Sequence, residues 1–268
     1  RDRRPTLDSD VRVAIEGDNL GRIAVGHNIN QVGSVHGDYI VVNAAGNLPV
    51  PTPRTRPIDQ RGRDFPDLFG RREEIRAVRW AARAAQPVEL IAPPGMGKSV
   101  LLRHLAFRLP ALPDGVVWLS AANRPYDDLL EKLFDAFFQT PLPVKLHADD
   151  LLRYLSGINA LLLVDDVDLS RNEVSALLAT LPRAALVLAS HERRLWGEGR
   201  AIPLGGLALD EGMALFARQV GRSLRPHEKG EVRRLVDFGG SPLAIRQSAL
   251  DGLVVPELKI VAALAALA

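Results

Sequence analysis

The chain has 268 residues, a net charge of +2, 47% hydrophobic and 25% charged residues, and no cysteine. That length predicts about two compact units, and the composition excludes wholesale disorder. The lack of cysteine excludes disulfide scaffolds, thiolate zinc sites and cysteine nucleophiles, and predicts a reducing compartment. With 34 basic against 32 acidic residues, no nucleic-acid partner is evident from net charge. No run approaches the roughly 18 apolar residues of a membrane span. The opening RDRRPTLDSD lacks the apolar stretch of a signal peptide. A cytoplasmic protein without a transmembrane segment is expected. The start at Arg1 and the apolar end VAALAALA point to a piece of something longer.

Residues 1–47 form the first region. Val11, Val13 and Ile15 alternate, and RIAV and YIVVN are β-prone pieces punctuated by Gly and Asn, which predicts very short strands joined by turns. Pro49, Pro51, Pro53, Pro57 and Pro66 then lie among Arg and Asp, the composition of an extended spacer over 48–67.

From Leu68 the pattern alternates between helix and strand. REEIRAVRWAARAA places Ile75, Val78 and Ala82 at helical spacing, and SVLLRHLAFRL is helical again. VELIA, GVVWLS, ALLLVDD, AALVLAS and AIPLGG are five apolar runs of strand length, separated by helical stretches such as YDDLLEKLFDAFF and NEVSALLATL. Apolar strands alternating with helices predict a three-layer α/β domain over 68–207 with a five-stranded parallel sheet. LDEGMALFARQVG, EKGEVRRLVDF and SPLAIRQSAL predict a small helical subdomain over 208–268.

The strongest chemical signal is Ala92-Pro93-Pro94-Gly95-Met96-Gly97-Lys98-Ser99, between the strand VELIA and a helix that continues through Val100. A turn of low bulk lets successive N–H groups surround a phosphate while the helix N-terminus adds its positive end. Lys98 then reaches the β- and γ-phosphates of ATP, or the β-phosphate of ADP, and the Ser99 hydroxyl is placed as a ligand for Mg²⁺. Ala92 stands where the P-loop pattern has its first Gly, at the strand end, where close approach is not required. In LLLV-Asp165-Asp166 a carboxylate follows four apolar residues, so Asp165 is assigned to the metal and Asp166 to orienting the attacking water. The Asp pairs at 127–128 and 149–150 have helical flanks and are expected as helix starts. The six His lack metal-ligand spacing. Trp80, Trp118 and Trp196 are expected in the core or an interface and not as a stacking platform.

Together these motifs resemble the STAND class of P-loop ATPases, which includes NB-ARC, NACHT and bacterial NLR-like proteins. Leu68-Phe69-Gly70-Arg71-Arg72-Glu73-Glu74 resembles the motif ahead of the P-loop, ALVLASHERR the sensor strand, and Gly240-Ser241-Pro242 the GxP motif. The resemblance implies a sensor strand lying between the P-loop and metal strands, and nucleotide contacts from Arg71 and Pro242. It also implies a sensor contact from His191, Arg193 or Arg194, the family often carrying Arg where His191 stands. It implies a slow ATPase switch in which ADP holds a closed form, ATP permits self-oligomerisation, and a C-terminal sensor receives a trigger.

The segment Asn28-Ile29-Asn30-Gln31-Val32-Gly33-Ser34-Val35-His36-Gly37 is similar to RHIM-like amyloid signalling motifs, with Asn30 where the animal motif has an aliphatic residue. Short β-prone segments with Asn and Gln stack in register through amide ladders. The resemblance implies a downstream effector carrying a matching motif, in defence or regulated cell death. A small Gly-rich β-unit is the other reading of this segment. For the whole chain, the alternative is a STAND-type transcriptional regulator whose DNA-binding part lies outside residues 1–268.

Overall fold

The computed structural model describes residues 50–84, 86–140, 146–197 and 199–253, so the motif at residues 28–37 lies outside the described residues. In chain order the elements are β1 (Thr52–Pro53), β2 (Ile58–Gln60), α1 (Arg72–Arg83), β3 (Val88–Ile91), α2 (Lys98–Ala106), β4 (Gly115–Ser120), α3 (Tyr126–Phe137) and β5 (Phe138–Gln139). There follow α4 (Ala148–Leu155), β6 (Leu161–Val167), α5 (Arg171–Thr180), β7 (Ala185–Ser190), β8 (Arg200–Pro203), α6 (Leu209–Val220), α7 (Pro226–Asp237) and α8 (Pro242–Leu253). The chain divides into two units, the smaller taking in residues 137–147 and the chain up to Arg54. Within it β1 and β5 pair antiparallel, Thr52 opposite Gln139.

The larger unit holds a sheet of order β2-β4-β6-β7-β3-β8, in which every pairing is parallel. The five expected strands are all present, and β7, which ends in the sensor segment, does lie between β3 and β6. A sixth strand, β2, comes from the Pro-rich stretch expected as a spacer. Ile58 is its buried residue, and its three-residue register against Gly115–Val117 of β4 suffices to extend the sheet. Apolar composition alone could not reveal a strand written IDQ, because at a sheet edge backbone pairing and one buried side chain are enough.

Alternation sorts the strand side chains to two faces. Leu161 and Leu163 of β6, with Val187 and Ala189 of β7, join Leu101, Leu102 and Leu105 of α2 and Val78 and Ala81 of α1 in one core. Leu162, Val164, Leu186 and Leu188 point the other way and are likewise buried, as are Leu129 and Leu133 of α3 and Val174 and Leu177 of α5. Burying a Leu or Val contributes about 1.5–3 kcal/mol each, so these two layers carry most of the stability. Helices α6, α7 and α8 form a separate core around Phe216, Val232, Ile245 and Ala249, to which Phe69 adds its ring. The Asp127/Asp128 and Asp149/Asp150 pairs sit in the first turns of α3 and α4, where the helix dipole favours them.

The tryptophans divide between core and surface. Trp118 packs partly buried against the sheet core, but Trp80 is 57% and Trp196 49% exposed. Each indole has an arginine over its ring, Arg103 on Trp118, Arg200 on Trp80 and Arg193 on Trp196, and a guanidinium stacked on an aromatic face lets both stay at the surface.

Candidate functional site

Three neighbouring strands deliver their carboxyl ends to one edge, where ligands bind in open α/β sheets. β3 runs into the Gly-rich loop, β6 ends in Asp165-Asp166, and β7 ends at Ser190. Ile91 pairs with Ser190, whose carbonyl accepts the Ala92 N–H at 3.3 Å.

The loop after β3 depends on two glycines. Gly95 and Gly97 have φ of 84° and 88°, flanking Met96, an alternation that turns successive backbone N–H groups toward one concavity. Gly97 is also the N-cap of α2, and no side chain caps that helix, so its first N–H groups are available to an anion. Four of the loop's carbonyls, by contrast, are taken. Lys98 Nζ donates to Ala92 O at 2.7 Å and Pro93 O at 3.2 Å. Arg71 Nη2 donates to Met96 O at 2.9 Å, and Gly95 O accepts from Leu243 N at 3.2 Å and Ser241 Oγ at 3.3 Å. With acceptors gripped from outside, the loop presents donors within, the polarity that suits a phosphate.

Arg71 is 6% exposed, itself in the left-handed region at φ 69°, and its guanidinium is also bound to Glu74 at 3.0 Å. Leu68, three residues before it on the other side of Phe69, packs into the sheet core. The stretch 68–74 thus ties the loop to both cores.

Asp165 is 2% exposed at a register shift in β6 between Val164 and Val167, and Asp166 beside it has φ 52°. Such bulges re-aim side chains at functional edges, and Asp tolerates the left-handed conformation better than most residues. Burial pushes the Asp165 carboxyl above the usual carboxylate range; the hydrogen bond from the Ser99 hydroxyl opposes this, and the Asp166 charge adds to it. Burial pulls the Lys98 ammonium below its ordinary value, against the attraction of Asp166 and Asp165. The hydroxyl of Ser99 and the carboxylate of Asp165 are adjacent hard oxygen donors, a set that fits Mg²⁺.

Pro242 begins α8 beside the loop, its Cγ 3.8 Å from where a Cβ on Gly97 would stand. Pro94 and Val100 lie in the loop and in the first turn of α2. His191 is exposed just past β7. Arg193 turns to Trp196, 4.2 Å from the ring centroid, and donates to Leu195 O at 3.1 Å; no hydrogen bond among the described residues joins His191 or Arg193 to the loop.

Sequence reasoning missed Glu89. It is fully buried on β3, and its carboxylate accepts from Ser190 Oγ at 2.6 Å, from Arg194 N at 2.9 and 3.1 Å, and from Leu195 N at 2.9 Å. The signal was a lone acid inside the apolar run VELIA, since a buried carboxylate requires partners.

No protein-family model and no curated protein matches the chain. Among solved structures, it is similar to a Signal Transduction ATPase with Numerous Domains (STAND) protein with a tetratricopeptide repeat sensor from Pyrococcus horikoshii. The identity is 19% and the TM-score 0.51, over 71% of this chain and 31% of that one, so the chain spans about a third of its length. It is also similar to a Walker-type ATPase of Pyrococcus abyssi, 18% identical with a TM-score of 0.49 over 75% of this chain and 71% of that one. An AAA domain solved in complex with ADP is 16% identical with a TM-score of 0.48, over 72% of this chain and 73% of that one. At 19% identity the likeness to the Pyrococcus horikoshii structure establishes the fold alone, which is that of P-loop NTPases. Among the described residues, no helix is long and apolar enough to cross a membrane.

Proposed function

We propose that the chain is a nucleotide-operated signalling ATPase of the STAND type. The observation that carries this reading is the contact of Leu243 and Ser241 with the Gly95 carbonyl: the helical subdomain is fastened to the loop that would hold the phosphates. In this reading the N–H groups from Gly95 to Ser99 bind the β-phosphate, and Lys98 moves from the Ala92 and Pro93 carbonyls onto phosphate oxygens. Ser99 and Asp165 hold Mg²⁺, which when bound neutralises phosphate charge. Asp166 orients the attacking water, Pro242 packs on the nucleotide, and His191 or Arg193 senses the γ-phosphate. Exchange of ADP for ATP loosens α8 from the loop and permits self-oligomerisation.

The same proposal extends to signalling. Assembly raises the local concentration of residues 28–37 and nucleates a cross-β stack, a step improbable for one copy and favoured for several held together. An effector with a matching motif is the recipient. The Pyrococcus horikoshii protein carries a repeat sensor; a sensing region outside residues 1–268 is inferred here by analogy. Two measurements test the reading. Lys98→Ala should weaken Mg-ATP binding and abolish ATP-dependent assembly followed by light scattering, and unchanged nucleotide affinity would overturn the site. Gln31→Pro or Gly33→Pro should abolish fibres while leaving ATP binding intact; fibres from these variants would overturn the amyloid role alone.

A further inference from the structure

Helix α1 carries a cationic stripe that the nucleotide reading does not use. Arg72, Arg76, Arg79 and Arg83 are all exposed, and at about 100° per residue they fall within an arc of about 60° and span about 16 Å. The stripe points away from Val78 and Ala81, the two fully buried residues of the helix. Like charges at i, i+4, as in the pairs 72/76 and 79/83, destabilise a helix, so the stripe costs stability that its own helix does not return. With a net charge of only +2, it is a local concentration and not the overflow of a basic protein. One acid flanks it, Glu73, bound to Arg76 at 3.1 Å with both side chains exposed, a pairing that water largely screens. Glu74 is turned to Arg71.

Beside the stripe stands the exposed Trp80, with the Arg200 guanidinium 5.3 Å from its ring centroid. Trp80, the four arginines of the stripe, Ile75 and His104 line a groove of about 600 Å³. Planar guanidinium groups match phosphate oxygens two by two, and an indole at the surface offers a face on which an unstacked base can lie. We propose that this face of α1 binds a single-stranded nucleic acid, the arginines tracking its phosphates and Trp80 stacking a base. The flat aromatic favours a nucleic acid over an acidic protein, and the need for an unstacked base favours a single strand over a duplex. The principal competitor is a second copy of this chain, whose α3 exposes Asp127, Asp128 and Asp135.

The test is fluorescence anisotropy of a labelled twenty-nucleotide single strand of mixed sequence, titrated with the full chain at several salt concentrations without nucleotide. Binding is expected, with log affinity falling against log salt at a slope of about −3, as for four phosphates. Arg76→Gln with Arg79→Gln should flatten that slope by about 1.4; Arg79→Gln with Arg83→Gln is the second pair should the first fold poorly by circular dichroism. Trp80→Ala should weaken binding about tenfold at fixed salt with the slope unchanged, and Trp80→Phe should recover most of it. Lys98→Ala should leave strand binding intact, which separates this site from the phosphate loop. Absence of binding at low salt, or binding indifferent to both arginine pairs, would overturn the proposal. So would polyglutamate competing as well as the strand, or loss of self-association in the arginine variants with no strand bound, outcomes that assign the face to an acidic protein.

Discussion

The carboxylate of Glu89 and the hydroxyl of Ser190 meet at 2.6 Å between the adjacent strands β3 and β7. Through the same carboxylate the N–H groups of Arg194 and Leu195 are fixed, so the segment leaving β7 is anchored to β3, the strand that feeds the Gly-rich loop. Replacing Glu89 by Ala would strand a buried hydroxyl and two backbone donors. The expected cost is about 3 kcal/mol, seen as a lower denaturant midpoint at constant slope, with Glu89→Gln recovering part. A change under 1 kcal/mol would show that water replaces the carboxylate.

Asp165 gives a pH signature. Its folded value lies above the ordinary 3.8 because of burial, so between 3.8 and that raised value the folded state binds more protons than the unfolded. Stability therefore falls as pH rises through this window. Asp165→Asn should unfold at higher temperature than the parent at neutral pH, with the gap closing as pH drops toward 3.8. Magnesium-dependent nucleotide binding should be lost at the same time. Equal melting temperatures across the range would remove the buried-charge account.

Lys98→Ala should weaken Mg-ATP binding at least about tenfold, the scale of one charge-assisted hydrogen bond, in isothermal titration. Because burial lowers the Lys98 value below 10.5, the parent, unlike the variant, should gain stability from this group as pH rises from that lowered value to 10.5.

Gly95→Ala strains a residue at φ 84° and sets a Cβ 3.1 Å from Leu243 Cβ and 3.2 Å from Ser241 Oγ. The left-handed backbone alone costs about 1–2 kcal/mol, and α8 must shift. Faster limited proteolysis near residues 238–243 together with weaker nucleotide binding is expected; an unaltered cleavage rate would mean that the loop and helix yield without separating.

In the helical subdomain, hydrogen bonds from Arg222 hold the Glu228 carboxyl down at about 2, helped by the Arg225 N–H. Its stabilising contribution is present above 4.5 and lost as pH falls through about 2. Arg222→Gln should move acid unfolding, followed by circular dichroism, to higher pH.

Much of this architecture was legible in the sequence because it rests on periodicity. The runs VELIA, LLLV and ALVLA became β3, β6 and β7, and the helical spacing of Ile75 and Val78 marked α1. The turn at Gly95 and Gly97 was legible because a left-handed backbone leading into a helix needs glycine at fixed spacing. What escaped depends on pairing across the chain. Nothing local announces that Ile58-Asp59-Gln60 will lie beside Gly115–Val117, that Glu89 will find Ser190 a hundred residues on, or that Arg193 will prefer the face of Trp196 to the loop. The arginine stripe was present in REEIRAVRWAARAA, but attention to its apolar positions hid the opposite face of the same periodicity.

The two outer strands of the parallel sheet have a consequence for assembly. β2 has three residues, follows Pro57 and carries the Asp59–Arg61 ion pair; β8 has four, opens with Arg200 and closes with Pro203. Short, charged and proline-bounded borders resist the addition of a foreign strand. Copies of this domain brought side by side are thereby kept from zipping into one continuous sheet. The folded domain can be concentrated without becoming a template itself.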